Sequence, residues 1–199
     1  MTLQPDTDAF ADPVLAAQAV FRAVMSALAR PGTAVAFPLP CNVPAPLAAG
    51  LAAVVLALCD HETAVWLEPQ LAKAPEIAAY LRFNTGCEIV EDPGAAAFAV
   101  MASADRMPPL DSFSQGTDLY PDRSTTVIAG VASLVGGPGL VLEGPGIKER
   151  ATVALDPLPG DFVRQRTENR TRFPRGVDCL FVAQDRVVAL PRTTVVAEG

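Results

Sequence analysis

The chain has 199 residues, half of them hydrophobic, and 22 Asp and Glu against 15 Lys and Arg, a net charge of −7. So much apolar side chain offsets the entropy of ordering and excludes a disordered polypeptide. The acidic balance excludes a general nucleic-acid binder, whose phosphate contacts need surplus positive charge. With only Lys73 and Lys148 among the basic residues and a single histidine, His61, Schiff-base and His-pair chemistry has few candidates.

In chain order, the first element begins at Asp12-Pro13, where Asp caps and Pro fits the first helical position because its missing N–H needs no partner. Val14, Ala17, Val20, Phe21, Val24, Met25 and Leu28 then recur at steps of three and four, which predicts a helix with one apolar face ending at Arg30-Pro31-Gly32. A short strand over 33–37 and a proline-rich loop over 38–46 follow. An Ala/Leu-rich buried helix over 47–59, a strand over 63–67 and a helix over 76–82 opened by Pro75 come next. Residues 96–102 read as a buried strand and 103–122 as turns. Strands are expected over 124–133 and 140–142, joined as a hairpin through Gly136–Gly139, and another over 150–155. A polar helix over 160–170 precedes a strand pair, 177–183 and 187–190. This alternation predicts a mixed α/β domain with a sheet covered on both faces and antiparallel in part. No linker divides it, so a single domain over 1–199 is expected.

Charge is uneven. Residues 61–145 hold 11 acidic and 4 basic residues, whereas 146–199 hold 7 and 9. The four cysteines, Cys41, Cys59, Cys87 and Cys179, show no CxxC spacing, and Cys59 and Cys179 read as buried small hydrophobes. No metal site is expected. The first residues lack a basic stretch followed by an apolar one, so no signal peptide is expected, and the longest apolar run, 45–59, is too short to span a bilayer.

Several groups invite a chemical reading. Gly136–Gly139 and Gly144–Gly146 match no phosphate-loop pattern, and Pro138 and Pro145 each lack the N–H such a loop would use. Asp60-His61-Glu62 is the one acid–base cluster built on His, although polar residues at a helix–strand boundary ordinarily cap and turn the chain. Arg164, Arg166, Arg170, Arg172 and Arg175 form the densest positive stretch. In a helix Arg166 and Arg170 share a face at i, i+4, which is either a solvated face against the acidic middle or a dock for an acidic or phosphorylated partner. Leu81–Gly86 and Leu190–Thr194 each set an Arg and Thr hydroxyls in a turn after an apolar element, to bind an anion or to pin a loop. Neither lysine lies in an apolar strand-end setting suited to a pyridoxal phosphate Schiff base.

Phe21-Arg22 with Met25 and Arg30-Pro31-Gly32, ALCDHETAVWL (57–67), LRFNTG (81–86), FSQGTDLYPDRSTTVI (113–128), LEGPGI (142–147), FPRGVDCLF (173–181) and LPRTT (190–194) stand in order along nearly the whole chain. Together they resemble the H subunit of the bacterial carbon–phosphorus lyase system, the PhnH family. The resemblance implies a three-layer α/β/α fold with a mixed sheet, similar to pyridoxal-phosphate-dependent transferases but without the cofactor. It also implies a homodimer in isolation and partnership with the G, I and J subunits of a cytoplasmic core complex. That complex converts alkylphosphonates through a ribose-linked phosphonate intermediate. The H subunit it implies has no catalytic residues, cofactor or metal of its own. Arg82, Thr85, Arg175, Asp178, Arg192 and Thr193 fall in the matching segments and are expected to hold loops or an interface rather than to touch substrate; Arg82, Thr85, Arg166, Arg170, Arg175, Arg192 and Thr193 are the candidate interface or anion contacts. The rival expectation is an enzyme or anion-binding module acting alone on a phosphorylated small molecule or nucleotide. In it Arg82, Arg175 and Arg192 converge as a clamp.

Overall fold

The computed structural model describes residues 12–134 and 139–199. The first helix, α1 (Pro13–Ala29), starts as its sequence predicts: the Asp12 carboxylate accepts from the Leu15 N–H at 3.1 Å, and the Arg30 N–H closes the far end on Ser26 O. Its buried stripe is Val20, Ala23, Val24 and Ala27, while Val14, Phe21 and Met25 are exposed. The apolar face is thus rotated from the predicted one. Ala23 and Ala27 are small enough to bring α1 close to the helix beneath it, and the bulkier residues are left on the rim.

That second helix, α2 (Ala49–Leu58), is buried from Gly50 to Val55, which accounts for its lack of charge. Gly50 is required there: a Cβ would stand 2.0 Å from the Gln184 carbonyl oxygen. Past a short helix α3 (Pro69–Ala72), α4 (Pro75–Thr85) continues one turn beyond its predicted end and stops at Gly86, whose φ of +76° suits a residue without Cβ. Helices α1, α2 and α4 lie on one face of a seven-stranded sheet.

The strands of that sheet are β1 (Val35–Ala36), β2 (Ala64–Leu67), β3 (Glu88–Val90), β4 (Phe98–Met101), β5 (Thr126–Gly130), β8 (Asp178–Ala183) and β9 (Arg186–Leu190), in the order β1-β9-β8-β5-β4-β2-β3. From β8 to β3 all neighbours are parallel, and β9 and β1 add an antiparallel edge. Period-two alternation divides the side chains. Val65, Val100, Ile128, Leu180 and Val182 face the helices, whereas Trp66, Ala99, Val127, Cys179 and Phe181 face the other way into a second core. Burial on both faces is why the central strands read as continuous apolar runs.

The second core is where expectation and structure part. A three-stranded antiparallel sheet, β7 (Ala151–Ala154), β6 (Gly139–Glu143) and β10 (Val195–Glu198), covers that face together with α5 (Phe162–Thr171) and short 3-10 turns between 104 and 123. The covering layer is therefore sheet plus one helix, not the purely helical layer of an α/β/α sandwich. The expected hairpin of 124–133 with 140–142 is also overturned. β5 has both edges taken by β4 and β8, while β6 pairs with β7 and β10. The expected turn at 136–138 lies outside the described residues. The second glycine turn does join a hairpin, β6 to β7, with Gly146 at φ +83° packed so closely that a Cβ would sit 2.2 Å from Ala29 O. Edge-to-face aromatic pairs, Phe162 on Phe181 at 5.6 Å and Trp66 on Phe113 at 6.0 Å, knit the covering layer to the sheet.

Candidate functional site

The parallel strands begin level with one another, Phe98 beside Thr126 and Thr126 beside Asp178, and the arginine-bearing loops gather at this amino-terminal edge. Arg192 is their hub. Its Nη2 lies 2.5 Å from Asp178 Oδ2 and 2.7 Å from Ser124 Oγ, its Nη1 donates to Pro121 O and Pro174 O, and its backbone N–H donates to Asp178 Oδ1 at 2.6 Å. One guanidinium fork thus ties three chain segments, 121–124, 174–178 and 192, with all five donors in use for positioning. Arg192 pins loops; it is not presented to a ligand.

Arg166 is the largest fully buried side chain, 1% exposed. It donates to Val177 O at 3.1 Å, to Pro191 O at 2.5 Å and weakly to Cys179 Sγ at 3.7 Å, and its Nε finds no partner. Beside it the Asn169 amide both donates to and accepts from Val177. The shared solvated face expected for Arg166 and Arg170 does not exist. α5 turns Phe162, Gln165, Arg166 and Asn169 inward, and the carbonyls of 177 and 191 solvate the guanidinium in place of water. Arg170 is exposed and lines a shallow cleft of about 360 Å³ with Pro145, Phe173 and Thr193. Arg175 pairs with Asp118 at 3.1 Å on the surface.

Arg82 and Thr85 are not in a turn but in the last two turns of α4. Thr85 Oγ1 donates to Leu81 O and accepts from the Cys87 N–H, so it fastens the helix end to the next strand. Arg82 is exposed and precedes β3, the far edge of the sheet. Arg192 is anchored on β8, four strand positions away, about 19 Å at ordinary strand spacing. Arg82 and Arg192 therefore do not converge, and the three-arginine clamp is excluded.

The remaining candidates resolve by local chemistry. Asp60 accepts from the Glu62 N–H and the Thr63 hydroxyl, which holds its carboxyl below the usual carboxylate range and makes the 60–63 segment a turn; His61 is exposed beside Gly86. Lys73 and Lys148 are exposed. Cys59, Cys87 and Cys179 are buried and Cys41 is exposed; burial pushes the Cys179 thiol up to about 11 and raises Cys59 further. No group of three or more His, Cys, Asp or Glu among the described residues could hold a metal ion. Sequence reasoning missed Glu68, buried at the end of β2, where its Oε1 accepts from the Ala102 N–H at 2.8 Å, and the exposed side chains of Leu119, Tyr120 and Phe173. The signal for the latter was present in DLYPDR and RFPRG, each an apolar residue beside Pro and Arg.

Fold and site together define a mixed α/β protein in which Arg166 and Arg192 fasten the chain's own loops. The model of the family "Bacterial phosphonate metabolism protein (PhnH)" matches residues 8–197, and the chain belongs to that family. It is 42% identical over 186 residues to the "Alpha-D-ribose 1-methylphosphonate 5-triphosphate synthase subunit PhnH" of Rhizobium meliloti (strain 1021), covering 94% of this chain and 92% of that one. It is also 36% identical over 74 residues to the "Putative C-P lyase subunit protein HtxG" of Stutzerimonas stutzeri, covering 37% and 38% respectively.

Proposed function

We propose that this chain is a non-catalytic subunit of a carbon–phosphorus lyase core complex, required for converting alkylphosphonates through a ribose-linked phosphonate intermediate. The observation that carries this reading is the 42% identity to the Rhizobium meliloti synthase subunit across nearly the full length of both chains. The use of Arg166 and Arg192 inside the fold supports it, since the two best-built cationic groups are engaged by backbone carbonyls and Asp178. On this reading the partners are the G, I and J subunits, the chain is a homodimer in isolation, and the assembly is cytoplasmic. No helix among the described residues is long and apolar enough to cross a membrane. The same reading takes the seven-stranded sheet as the core of a single-domain fold like that of pyridoxal-phosphate-dependent transferases, working without the cofactor. The exposed positions of both lysines favour that, because neither is desolvated as a Schiff-base amine needs. Co-expression with the G, I and J subunits tests the proposal: the chain is expected to co-purify at fixed stoichiometry, and a chain that never joins them overturns it.

A further inference from the structure

We infer that the loops bearing Leu119, Tyr120 and Phe173 form the docking surface for an acidic, apolar-bearing segment of a partner protein; this rests on the subunit reading above. These side chains stand 77%, 45% and 62% exposed. One atom holds the two loops together: Arg192 Nη1 donates to Pro121 O at 2.7 Å and to Pro174 O at 3.3 Å, the residues that directly follow Tyr120 and Phe173. The Arg175–Asp118 pair and the Gly176 N–H on Gln115 O tie the same two loops again. The surface is therefore pre-organised, which lowers the ordering cost of association.

Two cations frame the apolar residues. The Arg123 guanidinium lies 4.3 Å over the Tyr120 ring, and Arg170 lines the cleft of about 360 Å³ beside Phe173, with room for an anchoring side chain. Neither forms a salt bridge among the described residues, whereas Asp118 is engaged by Arg175, Asp111 by Arg172 and Glu168 by Arg164, and Asp122 is exposed. Aromatic residues and arginine are the side chains enriched at the energetic centres of protein interfaces.

Charge selects the partner. On a chain of net charge −7, two guanidinium groups without a salt bridge, set among exposed apolar side chains, favour an acidic segment over a basic one at this surface. Two arginines are too few for a nucleic acid or an anionic membrane, which need a denser cationic field. A second copy docked through the same patch would set like charges against each other across a two-fold axis.

The test uses the full chain co-expressed with the G, I and J subunits. Arg123→Glu with Arg170→Glu is expected to weaken association about tenfold or more, most at low salt. Phe173→Ala with Leu119→Ala is expected to weaken it about tenfold at any salt. Arg82→Glu, at the far edge of the sheet, should leave it within about twofold. All these side chains are exposed, and melting curves matching the parent verify folding. If both double variants assemble like the parent, the docking inference fails and the subunit reading stands. If the parent itself never joins, both fall. If the variants lose only self-association, the surface is a contact between copies and the inference is overturned.

Discussion

At the scale of single residues, Arg192 and Asp178 carry the most structure per side chain. Removing one partner of a largely buried, hydrogen-bonded ion pair strands the other, so Arg192→Ala should lower unfolding free energy by about 3 kcal/mol, measured by urea titration. Arg192→Lys should rescue little of this, because an ammonium cannot span Asp178, Ser124, Pro121 and Pro174 at once. The cysteines give a second check. In the native chain at pH 8, a thiol reagent should modify Cys41 promptly and the other three only after unfolding, since burial hides them and holds the Cys179 thiol up near 11. Prompt reaction of a second thiol would contradict the burial described. These pairings were not legible beforehand: Arg192 and Asp178 are joined by folding alone, and nothing in LPRTT distinguishes a loop-pinning arginine from a ligand-binding one.

At the scale of elements, helix starts and buried strands were readable wherever local chemistry decides. Asp12-Pro13, Pro75 and the apolar run at 177–183 became α1, α4 and β8 within a few residues. Pairing was readable only where a tight turn enforces it, as between β8 and β9. The expected β5–β6 hairpin failed because a strand buried at almost every position belongs in the middle of a sheet. The alternating burial of Gly139–Glu143 belongs in a sheet solvated on one face. β10 was missed because four residues near the end carry too short a pattern. Contact between elements gives the prediction here. Gly50→Ala would drive a methyl group into Gln184 O, so α2 must shift from the β8–β9 turn, at a cost of about 1–3 kcal/mol in thermal or urea unfolding. An unchanged midpoint would show that the helix does not approach the turn so closely.

At the scale of the whole molecule, two cores flank one sheet, and the arginines expected to act together are dispersed among them. Arg166 is solvated inside the second core, Arg192 laces its loops, Arg82 stands at the opposite edge, and Arg170 and Arg123 remain free to meet a partner. The early charge count thus has a spatial counterpart: on an acidic chain, Arg123 and Arg170, neither in a salt bridge among the described residues, stand beside the exposed Tyr120 and Phe173. The central claim is membership in a phosphonate-processing assembly. Its most direct measurement is the mass and composition of the species purified through a tag on this chain from cells expressing the G, I and J subunits. A single species containing all four proteins at fixed stoichiometry is predicted. Recovery of this chain alone, folded and unaccompanied, would contradict it.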